Sequence, residues 1–144
     1  MRFFYILFLG AFMTLSAQEF NYTIPETVQQ YIDQGADCLK NKEEGCLDFF
    51  EQAIQEAQRI DTDSLEAITY YDIGDQIYRL GNVQDLIHYT TRGTQLDGNK
   101  HPYTTHRLYR DLGYGYSKLA IVDSLFTIYE RAFYWAKVAN DTSG

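Results

Sequence analysis

From residue 25 onward apolar residues recur every three or four positions, interrupted by short polar turns. Pro25 suits a first helical position, and Val28, Ile32, Ala36 and Leu39 then share one face. The stretch Lys40-Asn41-Lys42-Glu43-Glu44-Gly45 predicts a turn, and Leu47, Phe50, Ile54, Ala57 and Ile60 make the stripe of a second helix. Ser64 is placed to cap a third helix carrying Ile68, Tyr71, Ile73, Ile77 and Leu80, which Gly81-Asn82 breaks. Residues 83–96 read as a fourth helix and Asp97-Gly98-Asn99 as a turn. Pro102 then opens a fifth helix that ends near Ala120. Residues 123–139 read as a sixth, holding Leu125, Phe126, Tyr129, Ala132, Phe133 and Ala136. No alternating β-branched run is bounded by turn residues, so the expected class is all-α.

The fifth helix contains two glycines, Gly113 and Gly115, each costing about 1 kcal/mol relative to alanine inside a helix. Close packing offsets that cost if Gly113 lets Tyr109, Leu112, Tyr116 and Tyr129 approach and if Gly115 faces the preceding helix pair. The pattern recurs. Gly74 precedes Gly81 by seven residues as Gly113 precedes Ala120, and Leu86 follows Gly81 by five as Leu125 follows Ala120. From turn to turn, Gly45 to Gly81 is 36 residues and Gly81 to Ala120 is 39.

Tyr109-x-x-Leu112-Gly113-x-x-Tyr116 stands where Tyr70-x-x-Ile73-Gly74-x-x-Ile77 stands one period earlier. This resembles the tetratricopeptide repeat, whose first helix reads W-x₂-L-G-x₂-Y, with tyrosine replacing the tryptophan here. The second-helix pattern A-x₃-F is matched by Leu125-x₃-Tyr129 with Ala132, and less closely by Leu86-x₃-Thr90 with Gly93. The first pair aligns through Gly45, Leu47, Phe50, Ile54 and Ala57, and through Gly35 only with about three extra turn residues.

Over residues 25–139 the resemblance implies an α-α superhelix of three antiparallel helix pairs, with the exposed faces of the first helices lining a concave groove. Transferred position by position, that groove takes Ile68, Tyr71, Asp75, Tyr78 and Arg79 from the second pair. From the third it takes Arg107, Arg110, Tyr114, Ser117 and Lys118. Four cations and three tyrosines on one wall imply a protein or peptide ligand, anionic in character, the alternative being ordinary solvated helix faces. The family's chaperone-binding carboxylate clamp uses asparagines where Asp75 and Tyr114 stand, so specificity for a C-terminal carboxylate is not carried over.

The N-terminus follows another logic. Arg2, the apolar run from Phe3 to Leu15 and the small pair Ser16-Ala17 have the layout of a secretory signal peptide, and the ending before Gln18 resembles those common in Bacteroidetes. The expected organisation is a signal peptide at 1–17, a linker at 18–24, the repeat domain at 25–139 and the start of a tail at 140–144. This places the protein in the periplasm or outside the cell, the alternative being an anchor formed by the uncleaved segment. Cys38 and Cys46, the only cysteines, are too few for a structural zinc site. Two readings stay open: a disulfide stabilising the fold by roughly 2.5 kcal/mol, or two separate buried thiols.

Composition then excludes classes. A net charge of −8 on 144 residues argues against nucleic acid as partner. His101 and His106 flank Pro102 without an H-E-x-x-H pattern and read, with His88, as capping or solvated side chains. No nucleophile elbow, phosphate loop or paired acid is found, so neither catalysis nor a cofactor or metal is expected. Phe126, Phe133, Tyr134 and Trp135 in the last pair would leave apolar surface bare. Further repeats of a longer protein, or self-association, would cover that end. The layout as a whole resembles the extracytoplasmic sensory or scaffold part of an envelope signalling protein, the alternative being a stand-alone adaptor or assembly factor.

Overall fold

The computed structural model describes residues 23–60, 63–80 and 82–141. The proposed leader at 1–17, most of the linker, the 61–62 turn, Gly81 and the tail beyond Asp141 lie outside the described residues. Those described form α1 (Glu26–Asn41), α2 (Cys46–Ile60), α3 (Asp63–Leu80), α4 (Val83–Thr94), α5 (Pro102–Lys118) and α6 (Leu125–Asp141), with a 3-10 turn at Gly98–Lys100 and no strand among them. The fold is all-α. Each helix packs against the next in the chain, and in addition α1 meets α3 and α3 meets α5. Helices joined by only a few residues pack on each other as antiparallel neighbours.

The helix ends show how the turns are made. α1 stops because Lys42 takes the left-handed conformation at φ 60°, and the Glu43 N–H donates to the Cys38 carbonyl at 3.1 Å. α5 stops in the same way, with Ala120 at φ 55° and the Ile121 N–H donating to Tyr116 at 3.0 Å. Lys42, rather than the expected Gly45, is therefore the helix stop equivalent to Ala120, and the two lie 78 residues apart. Gly45, at φ +75°, instead leads into α2, where its carbonyl accepts the Asp48 N–H. Glu43, Glu44 and Gly45 are thus the extra residues of the first turn. Other boundaries move slightly. Pro25 precedes α1 and Ser64 lies within the first turn of α3. α4 ends at Thr94 rather than Leu96, and α6 begins at Leu125 rather than Asp123. The Asn82 side chain caps α4 by accepting from the Asp85 N–H.

One apolar cluster runs through the first five helices, including Ile32, Phe50, Ile54, Ile73, Ile77, Leu86, Tyr89 and Leu108. Phe50 and Tyr89 meet edge to face at 5.7 Å, joining α2 to α4. Gly35, Gly74 and Gly113 stand 39 residues apart, each on a face turned to the following helix. A Cβ at Gly35 would lie 2.5 Å from the Phe50 ring, and one at Gly113 would lie 2.7 Å from the Tyr129 ring. Gly115 faces backwards, where a Cβ would come within 2.6 Å of Ile87 in α4. Those approaches offset the helix-propensity loss at residues 113 and 115. Cys38 and Cys46 are joined in a disulfide across the α1–α2 turn, their Cα atoms 5.3 Å apart.

α6 differs from the other helices. Its inner face buries Ile128, Ala132 and Ala139, whereas Phe126 and Phe133 are 74% and 69% exposed, with Tyr134 beside them also exposed. Trp135 departs from the expectation of a bare surface. It is half-buried and lies over Gly98, which has no side chain to block the indole.

Candidate functional site

α3 and α5 pack side by side, and the face they share carries two hollows. The larger is a cavity of about 520 Å³ near the start of both helices. Ser64, Ile68, Tyr71 and Asp72 of α3 form one wall. Asn99 to Thr104 and Arg107 form the other, and Ile24 and Ala139 complete the lining. A smaller cleft of about 340 Å³ lies further along, between Asp75 and Tyr78 of α3, Arg110, Asp111 and Tyr114 of α5, and Tyr129 of α6.

Seven of the ten residues expected on the groove line these hollows. Ile68, Tyr71 and Arg107 border the cavity, and Asp75, Tyr78, Arg110 and Tyr114 border the cleft. Arg79, Ser117 and Lys118 border neither, because they sit on the exposed last turns of α3 and α5. The rings are organised: Tyr78 and Tyr114 meet edge to face at 4.6 Å across the two helices.

Two of the four expected cations are neutralised within the chain. Arg79 pairs with Asp75 at 2.8 Å, one helical turn away, and Arg110 pairs with its neighbour Asp111 at 2.8 Å. Lys118 places its Nζ 5.2 Å from the Tyr114 ring centre. Arg107 is different. Its guanidinium carbon lies 4.9 Å from the Tyr71 ring centre and 5.1 Å from that of Tyr103, and among the described residues it makes no ion pair.

Among the lining residues that the groove reading did not include are Asp72, Asp111, Tyr103 and Tyr129. Asp72 and Asp111 stand 39 residues apart, each two residues before a helix glycine, so applying the glycine register to the acids would have found them. Burial raises both carboxyl groups above their ordinary range, opposed at Asp72 by a hydrogen bond from Gln29 and at Asp111 by Arg110. Tyr103 lies one turn before Arg107 on the same helix face.

The histidines correct another expectation. His101 occupies the N-cap position of α5 but is buried and makes no side-chain capping bond. His106 is half-buried, its Nδ1 2.9 Å from the Ala132 carbonyl, which ties α5 to α6. Of the three, His88 alone is exposed. Among the described residues no three His, Cys, Asp or Glu side chains gather into a group that could hold a metal ion, and no helix is long and apolar enough to cross a membrane. The two sulfurs are bonded to each other, so neither is a free nucleophile. What the face offers is tyrosine rings meeting edge to face, two arginines paired within the chain and one guanidinium that makes no ion pair among the described residues. No protein-family model, curated protein or solved structure matches the chain.

Proposed function

We propose that this chain is a tetratricopeptide-type helical array that binds an extended segment of a partner protein along the α3–α5 face, without catalysis. The observation that carries the reading is the 39-residue register of Gly35, Gly74 and Gly113, each admitting a side chain of the following helix. The contacts of α1 with α3 and of α3 with α5 support it, since a stack of helix pairs brings its first helices side by side. The tyrosines supply broad contact area at low conformational cost, and Arg110 with Asp111 gives the cleft paired polar groups for a peptide backbone or side chain.

The protein acts outside the cytoplasm, as the sensory or scaffold part of an envelope signalling system. The Cys38–Cys46 disulfide supports this placement, because such bonds persist in oxidising compartments. The exposed phenylalanines of α6 form a second contact surface, for self-association or for further helices.

Panning a random peptide display library against the purified chain tests the groove. The expected result is a consensus sequence whose binding falls at least tenfold in Tyr114→Ala and Arg110→Ala. Failure to enrich any sequence, or equal binding by both variants, removes the groove.

A further inference from the structure

The larger cavity carries Arg107 and Asp72, opposite charges that among the described residues make no ion pair with each other or with a neighbour. Arg107 enters from α5, its guanidinium near two tyrosine rings and its N–H donors without a carboxylate. Asp72 enters from α3 and receives one long side-chain hydrogen bond, from Gln29 at 3.4 Å, and no ion pair. Both are half-buried. Among the described residues of this face, the ion pairs Arg79–Asp75 and Arg110–Asp111 each join partners on a single helix. Lys100 and His101 at the rim have interactions of their own.

The same lining includes Ile24, Ile68, Pro102 and the rings of Tyr71 and Tyr103, which give it an apolar part. A half-buried charge is costly unless a partner replaces the water it has lost. A ligand with a single charge would satisfy one wall and leave the other bare. A zwitterion satisfies both.

We infer that this cavity binds a small zwitterion with an apolar body, an α-amino acid or a dipeptide with an apolar or aromatic side chain. Its carboxylate accepts hydrogen bonds from Arg107, and its ammonium group donates to Asp72. Asp33, whose negative charge acts on Asp72, strengthens the attraction for a cation at that wall, whereas Asp75 and Arg79 are paired with each other. The apolar body lies against Ile68 and the rings of Tyr71 and Tyr103. The volume suits the size class, since small-molecule sites span roughly 300–1,000 Å³. This ligand assignment rests on the reading of the α3–α5 face as a binding surface and adds a small molecule to it.

The test is calorimetric titration of the full chain with leucine, phenylalanine and Leu-Phe, each alongside its N-acetyl and C-terminal amide forms. The expected result is saturable binding of at least one zwitterion, weakened tenfold or more by either blocking group. Strength in the single amino acids or in the dipeptide identifies the size of the occupant. Arg107→Gln should weaken the zwitterion tenfold, and Asp72→Asn should do the same while leaving the N-acetyl form unchanged. Filling the cavity by Ile68→Trp should abolish binding. Absence of binding by all three compounds overturns the assignment, as does equal affinity for free and blocked forms, a comparison that needs no variant to fold. Residues 110 and 114 lie outside this cavity, so a lost display consensus with retained zwitterion binding would discard the peptide groove alone.

Discussion

Arg92 of α4 reaches across to Glu51 of α2, its Nη2 donating to Oε2 at 3.1 Å while Nη1 engages Oε1. The same guanidinium carbon lies 5.2 Å from the Tyr70 ring centre, so one side chain links α2, α3 and α4. A two-pronged pair of this kind is stronger than a lysine contact would be. Both side chains are about one-third exposed, and solvent screens their attraction. A double-mutant cycle with Arg92→Ala and Glu51→Gln should give a coupling of about 0.5–1 kcal/mol in urea unfolding. The Arg92 hydrogen bonds hold the Glu51 carboxyl below its ordinary value of 4.5. Its contribution is therefore complete above that pH and disappears as pH falls through the lowered value.

Asp72 has the opposite sign. Burial raises its carboxyl above the ordinary 3.8, so the fold bears no penalty below that pH and an increasing one as pH rises through the raised value. Asp72→Asn keeps an acceptor for Gln29 and removes the charge. It should raise stability at pH 7, with the gain vanishing as pH falls below the ordinary 3.8. Thermal melts of both proteins from pH 7 down through that value measure this. The same substitution should weaken zwitterion binding, so stability and function diverge at one residue.

The helix glycines should rank by what they face. Gly115→Ala drives a Cβ into the branched Ile87 side chain and should destabilise by about 1–2 kcal/mol. At Gly74 the added methyl would meet Thr90 at 3.2 Å, a slight overlap that the helix-propensity gain of about 1 kcal/mol should cancel. Chemical denaturation of the two variants gives the comparison. Equal losses would contradict the packing argument.

Reducing the Cys38–Cys46 bond should cost roughly 2.5 kcal/mol on the chain-entropy account. Urea midpoints with and without a reductant are the measurement, and Cys38→Ser/Cys46→Ser should match the reduced protein.

Phe126 and Phe133 stand seven residues apart, two turns along one exposed face of α6. Phe126→Glu/Phe133→Glu should abolish concentration-dependent association in sedimentation velocity while changing stability by less than about 0.5 kcal/mol.

The helices were legible because their apolar periodicity is strong and their turns are short, and the facing of Gly113 and Gly115 was expected from the helix-pair arrangement that the repeat resemblance implies. Lys42 was not legible as a helix stop. A lysine in the left-handed region carries no local signal, and the nearby Gly45 drew the assignment. On the candidate face, the position-by-position transfer from the repeat resemblance named Tyr71, Tyr78, Arg107 and Arg110, which line the two hollows. It could not foresee that Arg110 would turn to the adjacent Asp111, since neighbouring residues leave a helix in different directions and only rotamers bring them together. His106 likewise has its partner, the Ala132 carbonyl, 26 residues away.

The contacts follow chain order, each helix leaning on its immediate neighbours. A molecule knit this way comes apart from an end rather than all at once. The α1–α2 turn is cross-linked, whereas α6 turns two phenylalanines to the solvent. Amide hydrogens should therefore exchange sooner along α6 than along the cross-linked α1 and α2.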